Sequence, residues 1–329
     1  MTVSVDPPAV PPAGDPAAGP VQPPAGPVPA AAGAPPGTGP ARPGTRVEIP
    51  AVRITGVVLT LFGVLLLGFV VHLTVISEVR YERAQQVAYA DFRKDLAEAV
   101  APVGQTDFDQ RLLELGTSVA VLRIPVLGTQ QVVFEGTTAG VLADGPGHRR
   151  DTPLPGQAGT SLIMGRRAVY GGPFAGLPLL RSGDKIVAVT GQGEHTYRVT
   201  GVRRPDEPVP PRLAAGAGRL TLVTAAGRPY LPTDVVYVDA DLVSQAQPAQ
   251  ARSLRFESLT PAEKTMAGDS GAWVSLLLWG QALLIAAYAV TWAWARWGGW
   301  QAWVVGIPLL AAVGLTVADQ IARVLPNLY

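Results

Sequence analysis

The chain has 329 residues, no cysteine, three histidines and a formal net charge of +1. Without cysteine there is no disulfide framework, no thiolate metal site, no CxxC redox chemistry and no cysteine nucleophile, and the near-neutral balance removes a general electrostatic case for nucleic acid. Hydrophobic residues make up 48% and charged residues 16%, against about a quarter charged in an ordinary soluble domain, so the composition is that of a membrane protein with a soluble part. The histidines stand far apart, at 72, 148 and 195. No metal site and no cofactor is expected from them.

Residues 1–50 hold 15 of the 32 prolines, with Ala and Gly filling most of the rest. Such a segment buries too little apolar surface to offset its ordering entropy. It reads as a disordered tail, partly polyproline II, with docking to an SH3-like partner as the alternative to a spacer. Ile54–Ile76 runs for 23 residues without Asp, Glu, Lys or Arg, long enough to cross the hydrocarbon core as a helix. His72 lies near its outer end, where it is expected to reach the interface. Residues 77–115 read as a juxtamembrane helical segment. Tyr81, Ala84, Ala88, Phe92, Leu96 and Ala99 share one helical face, half of them alanines, which suggests a stalk that packs lightly on the domain.

From 116 to 243 short apolar runs alternate with Gly/Pro/Asp punctuation. The runs include Ala120–Leu122, Val132–Phe134, Ser161–Met164, Ile186–Val189, Leu220–Val223 and Val235–Val238. Many short strands at such spacing predict a mostly β, closed barrel. Residues 244–270 read as a polar linker. Residues 271–295 and 300–318 are two further apolar runs joined by a very short connection, a transmembrane hairpin whose last helix contains Pro308. Trp292, Trp294, Trp297 and Trp300 crowd the turn, as indoles do at the headgroup level. Arg42, Arg46 and Arg53 before the first span, and Arg296 in the hairpin turn, place the N-terminal tail in the cytoplasm and the 77–270 segment outside.

A set of motifs runs through the β region in order: Leu122-Arg123-Ile124-Pro125, Val133-Phe134-Glu135-Gly136-Thr137, Gly145-Pro146-Gly147-His148, Leu154-Pro155-Gly156-Gln157-Ala158-Gly159, Tyr170-Gly171-Gly172-Pro173-Phe174, Leu180-Arg181-Ser182-Gly183-Asp184 and Leu220-Thr221-Leu222-Val223-Thr224. Together they resemble a sortase, the membrane-anchored cysteine transpeptidase of Gram-positive cell surfaces, of the class E type. The resemblance implies a sortase-like closed β-barrel, which the apolar runs set between one N-terminal and two C-terminal transmembrane helices. It also implies a chemistry in which a cysteine attacks the carbonyl of an LPxTG-type sorting signal, a histidine moves protons and an arginine steadies the oxyanion.

All three roles are vacant here. By the resemblance, the histidine position holds Arg166, within Gly165-Arg166-Arg167. The cysteine position holds Ala225, and the arginine position holds Asp234. The implied groove therefore carries Arg166, Arg167, Thr224, Ala225, Arg228 and Asp234. Thr224 or Ser161 as nucleophile with His148 as base is the alternative of a rewired, non-cysteine active site. Against it, Thr224 precedes the cysteine position and so points to the opposite face of a strand, and His148 belongs to a loop that resembles scaffold. His195, after Gly191-Gln192-Gly193-Glu194, is expected at a solvated hairpin tip. The leading expectation is a pseudoenzyme at the cell membrane that binds a cell-surface peptide or partner protein through the former groove. A scaffold subunit of a membrane complex and an inert spacer are the other readings.

Overall fold

The computed structural model describes residues 50–107, 109–228, 231–250, 254–297 and 299–328. The chain divides into Met1–Val52 and Arg53–Tyr329; the tail expected over 1–50 lies outside the described residues apart from Pro50.

The first apolar run belongs to one long helix: α1 (Pro50–Val71), a π-helical turn at His72–Ile76, and α2 (Ser77–Ala97). Thr74 Oγ1 donates to Val70 O at 2.8 Å and Ser77 Oγ to Leu73 O at 2.5 Å, so side chains supplement the backbone ladder around the widened turn. His72 is buried, 5% exposed, and does not reach out to the interface as expected. Among the described residues, three helices are long and apolar enough to cross a membrane: Phe62–Ala97, Ala272–Ala293 and Trp300–Val324. The latter two lie in α4 (Ala272–Trp297) and α5 (Gly299–Val324). They approach closely at Gly306, where a Cβ would meet Val290 Cγ1 at 2.6 Å. α5 runs through Pro308 and past the expected end at Ala318, so it carries Asp319 and Arg323.

α2 is docked on the barrel, not a light stalk. Phe92 is fully buried in a cluster with Ala88, Val121, Val132 and Phe134. Gln85 clips the edge of β2 (Thr129–Glu135): its Oε1 accepts from Val132 N at 2.7 Å and its Nε2 donates to Asp144 O at 2.9 Å. The Tyr81 hydroxyl bonds Gln131 Oε1. The expected stripe therefore exists, and two large aromatics and one amide hold it together with Ala88. The helix ends at Ala97, and the described residues from 98 to 117 are not helical apart from turns, so the expected helical segment stops short of 115.

The domain is a closed eight-stranded barrel. Its strands are β1 (Ser118–Ile124), β2, β3 (Gly147–His148), β4 (Gly159–Met164), β5 (Lys185–Thr190), β6 (Gly193–Arg203), β7 (Gly218–Arg228) and β8 (Leu231–Leu242). The order around the barrel is β1-β2-β3-β4-β7-β8-β6-β5, with β2/β3 and β4/β7 parallel. A short helix, α3 (Val141–Asp144), links β2 to β3. Alternation sends Ile163, Leu220, Leu222, Val238 and Ala240 into the barrel core together with Tyr197, Phe174 and Leu177. Residues 254–267, within the segment expected as a linker, are packed: Leu259 and Glu263 are buried. A capping box joins Thr260 and Glu263, and Thr137 Oγ1 donates to Glu263 O at 2.5 Å. The polar composition hid this packing, in which Glu263 is buried with its Oε2 accepting from Thr260 N at 3.1 Å and Oγ1 at 2.9 Å.

Candidate functional site

The core-facing residues of β4, β7 and β8 leave their alternates on the outer face of the same sheet. Those alternates are Leu162 and Met164 on β4; Arg219, Thr221, Val223 and Ala225 on β7; and Val235, Tyr237 and Asp239 on β8. The register pairs Leu162 with Thr221, Met164 with Val223, Thr221 with Asp239, Val223 with Tyr237 and Ala225 with Val235. One continuous groove floor results, and its two halves differ.

Around Thr221 the floor opens into a cleft of about 570 Å³, walled on one side by Val209–Leu213 of the β6–β7 connection. Asp239 accepts from Arg203 Nε at 2.6 Å and from Thr221 Oγ1 at 2.7 Å. Arg219 donates to Asp241 at 2.7 Å and to Pro211 O at 2.9 Å. The Arg203 guanidinium lies 4.3 Å from the centroid of the Tyr237 ring. These arginines are held by acids and a carbonyl, which fixes the cleft walls.

Around Ala225 the same floor is covered. Leu142, Met164, Val223, Ala225, Val235 and Leu328 form one buried cluster, with Leu162, Tyr237 and Met266 packed against it. Ala225 is 1% exposed and Leu328 0%. Arg167 brackets the position: its Nη1 donates to Ala225 O at 2.8 Å and its backbone N to Leu328 O at 3.3 Å. Leu328 and Met266 carry no motif, so sequence reading missed them. The one hint was Asp319 and Arg323, charged residues that interrupt the apolar character of the last helix near its end.

Arg166 is turned toward α3. Its Nε donates to Leu142 O at 3.1 Å and its Nη2 to Ala139 O at 2.9 Å, and the guanidinium stacks 4.9 Å from the Tyr170 ring centroid. Burial pushes its pKa down to about 10. It still carries its proton at neutral pH and cannot serve as a base. Thr224 is on the core side, donating to Gly165 O at 2.9 Å. Asp234 pairs with Ala226, one residue out of step with Ala225, and its Oδ1 accepts from Val235 N at 2.8 Å. Arg228 is exposed near the end of β7. The structure thus brings Arg167 to Ala225, and puts Thr224 and Asp234 out of step with it along their strands.

The other suggested reactive groups lie elsewhere. His148 is buried between Glu135 Oε2 (2.8 Å from Nδ1) and Pro153 O (3.0 Å from Nε2), which makes it scaffold. Ser161 is on the core side of β4, and its hydroxyl has no partner among the described residues. His195 is not solvated: it pairs with Ala188 inside the β5–β6 ladder, is 2% exposed, and burial lowers its pKa.

Residues 122–243 match the family model described as the sortase domain. The barrel of this chain therefore carries a match to the sortase domain. Sortase D of Bacillus subtilis (strain 168) is 30% identical over 86 residues, a stretch covering 26% of this chain and 42% of that relative's length. Among solved structures, a sortase E variant from Streptomyces avermitilis is 32% identical, covering 46% of this chain and all of that one, with a TM-score of 0.34. A Clostridium perfringens sortase D5 transpeptidase is 21% identical, covering 50% of this chain and 99% of that one, with a TM-score of 0.40. This sortase barrel differs from a cysteine transpeptidase in one elementary respect: the chain contains no cysteine.

Proposed function

We propose that this protein is a catalytically inactive sortase-fold membrane protein, a pseudoenzyme, whose outer-face groove binds an extracytoplasmic peptide or partner protein. One observation carries the reading. By the resemblance, the family's nucleophile position holds Ala225, and its methyl group is buried beneath Leu328. Acyl transfer needs a nucleophile and an oriented base. Ala225 itself offers a methyl, and of the neighbouring arginines Arg167 is bonded to the Ala225 carbonyl and Arg166 is locked on the Ala139 and Leu142 carbonyls. The cleft beside Thr221 remains open, with Tyr237, Arg203 and Arg219 on its walls, and it supports retention of binding without turnover.

The domain organisation follows the same reading. Residues 1–50 are a cytoplasmic tail, 54–76, 271–295 and 300–318 cross the bilayer, and the 116–243 barrel is outside, because Arg42, Arg46, Arg53 and Arg296 mark the inner side. A scaffold role in a membrane complex is favoured by the covered half of the groove; pull-down with and without the α4–α5 hairpin separates the two.

The deciding experiment is single-turnover cleavage of a panel of LPxTG-type peptides, run beside equilibrium binding of the same peptides. Binding without cleavage is expected. Sequence-specific turnover above a heat-treated control, lost on Thr224→Ala or His148→Ala, overturns the pseudoenzyme reading. Orientation is checked with Thr38→Cys and Ser182→Cys: an impermeant thiol reagent on intact cells is expected to label position 182 and spare 38.

A further inference from the structure

The covered half of the groove already holds a peptide segment, and that segment is the chain's own. Past Val324 the backbone leaves α5 and enters the site at Ala225. Asn327 and Leu328 are both fully buried. Asn327 Nδ2 donates to Thr137 O and to Lys264 O, both at 2.9 Å, and its backbone N donates to Ala267 O at 2.9 Å. The Leu328 side chain fills the socket made by Leu142, Met164, Val223, Ala225 and Val235, and its carbonyl accepts from Arg167 N. Two converging carbonyls recognise a donor amide, and a closed aliphatic socket recognises a branched aliphatic side chain. These features read a side-chain amide followed by leucine.

We propose that this end of the groove is a receptor for an Asn-Leu pair presented by a partner peptide, and that Asn327-Leu328 is its resident occupant in cis. The inference rests on the peptide-binding reading above and names the ligand. Three observations favour an exchangeable occupant over a fixed plug. Asn327 Oδ1 is buried with no partner among the described residues, so the resident leaves one acceptor uncompensated. α5 has its own anchor: Arg80 Nη1 lies 2.9 Å from Asp319, and Ala322 packs in a cluster with Tyr81, Val169 and Tyr170. Release of residues 325–328 therefore does not require the helix to leave. Finally, Leu162 and Tyr237 line the open cleft and also border the socket. A peptide lying in the cleft is continuous with the position that Leu328 occupies. Because the resident is tethered, its effective concentration is high, and it masks the site in the resting protein.

The test uses the full chain in detergent micelles and a fluorescent peptide with the sequence of residues 322–329. The same peptide with Asn327→Ala or Leu328→Ala, and an LPxTG-type peptide, serve as comparisons. The wild-type protein is expected to bind weakly. Leu328→Asp in the protein, which expels the resident, is expected to tighten binding at least tenfold. Either replacement in the peptide is expected to lose at least tenfold. Occupancy is read separately with Ala225→Cys, since the chain has no other thiol. Maleimide labelling at position 225 is expected to be slow, at least tenfold faster after Leu328→Asp, and slow again with peptide present. Asn327→Ala is the milder release variant if Leu328→Asp fails to fold. Fast labelling with the resident intact overturns the inference. Equal binding of every peptide overturns it while leaving the peptide-binding reading standing. Rapid labelling after release, with no peptide bound by either protein, overturns both.

Discussion

The two halves of the groove lie on the same three strands and the same sheet face, yet one is open and the other closed. The open half presents Arg219, Thr221 and Asp239; the closed half presents Met164, Val223, Ala225 and Val235. Charged and hydroxyl groups on a sheet can face water once each has a partner, and here Asp239 is held by Arg203 and Thr221. An apolar floor gains by being covered, at roughly 25 cal/mol per Å² of surface removed from water. Residues 254–267 and 325–328 do that covering. The difference shows that the half carrying Ala225 is one apolar patch, and that the chain folds its own residues over it.

The comparison is broken most severely at the shared corner of the closed half. Arg166→Ala strands the carbonyls of Ala139 and Leu142 and empties a fully buried volume. A loss of roughly 4 kcal/mol is expected, read as a fall in melting temperature in detergent. A variant that melts like the wild type would show that Arg166 does not organise α3. In the open half, Asp239→Ala leaves Arg203 and Thr221 without their acceptor in a site 2% exposed. About 3 kcal/mol is expected to be lost, with weaker peptide binding; unchanged binding would remove this wall from the groove.

Smaller perturbations sharpen the picture. Arg80 of α2 joins Asp319 of α5 at 2.9 Å and Asp144 of α3 at 3.5 Å, with partly exposed partners. Arg80→Ala is expected to cost about 1 kcal/mol or less, and to raise hydrogen exchange in residues 319–328 while the open cleft stays protected. Equal changes in both halves would show that α5 is not the element that seats the cover. The mildest effect is a pH dependence away from the groove. Burial holds His195 below its ordinary pKa. The unfolded chain then binds the proton first, so stability is full above about pH 6.5 and declines as pH falls below it toward the folded pKa. The decline should be under about 1 kcal/mol at pH 6, and His195→Gln is expected to flatten that part of the melting-temperature profile.

Much of this architecture is legible in the residues. Strand alternation carries no ambiguity from Leu220 to Val223, and the turns Ser182-Gly183-Asp184 and Gly191-Gln192 punctuate strands wherever they stand. The absence of cysteine is equally plain, because residue identity needs no geometry. What could not be read was pairing across distance. His195 follows a glycine-rich turn and so reads as exposed, but β6 begins at Gly193 and draws it into the ladder with β5. Tyr81 and Phe92 lie on a stripe diluted by alanine, and only Gln131 and the β2 edge show how firmly they dock.

Composition and periodicity by themselves determined the three apolar helices, the β character of the domain and the absence of cysteine, since length, alternation and residue identity are local properties. Only the tertiary structure decided that the groove is half open and half filled. That outcome depends on residues 325–328 meeting strands about one hundred positions earlier in the chain, and such a contact leaves no periodic trace: Asn327 and Leu328 are ordinary residues until Thr137, Lys264 and the Ala225 socket close around them.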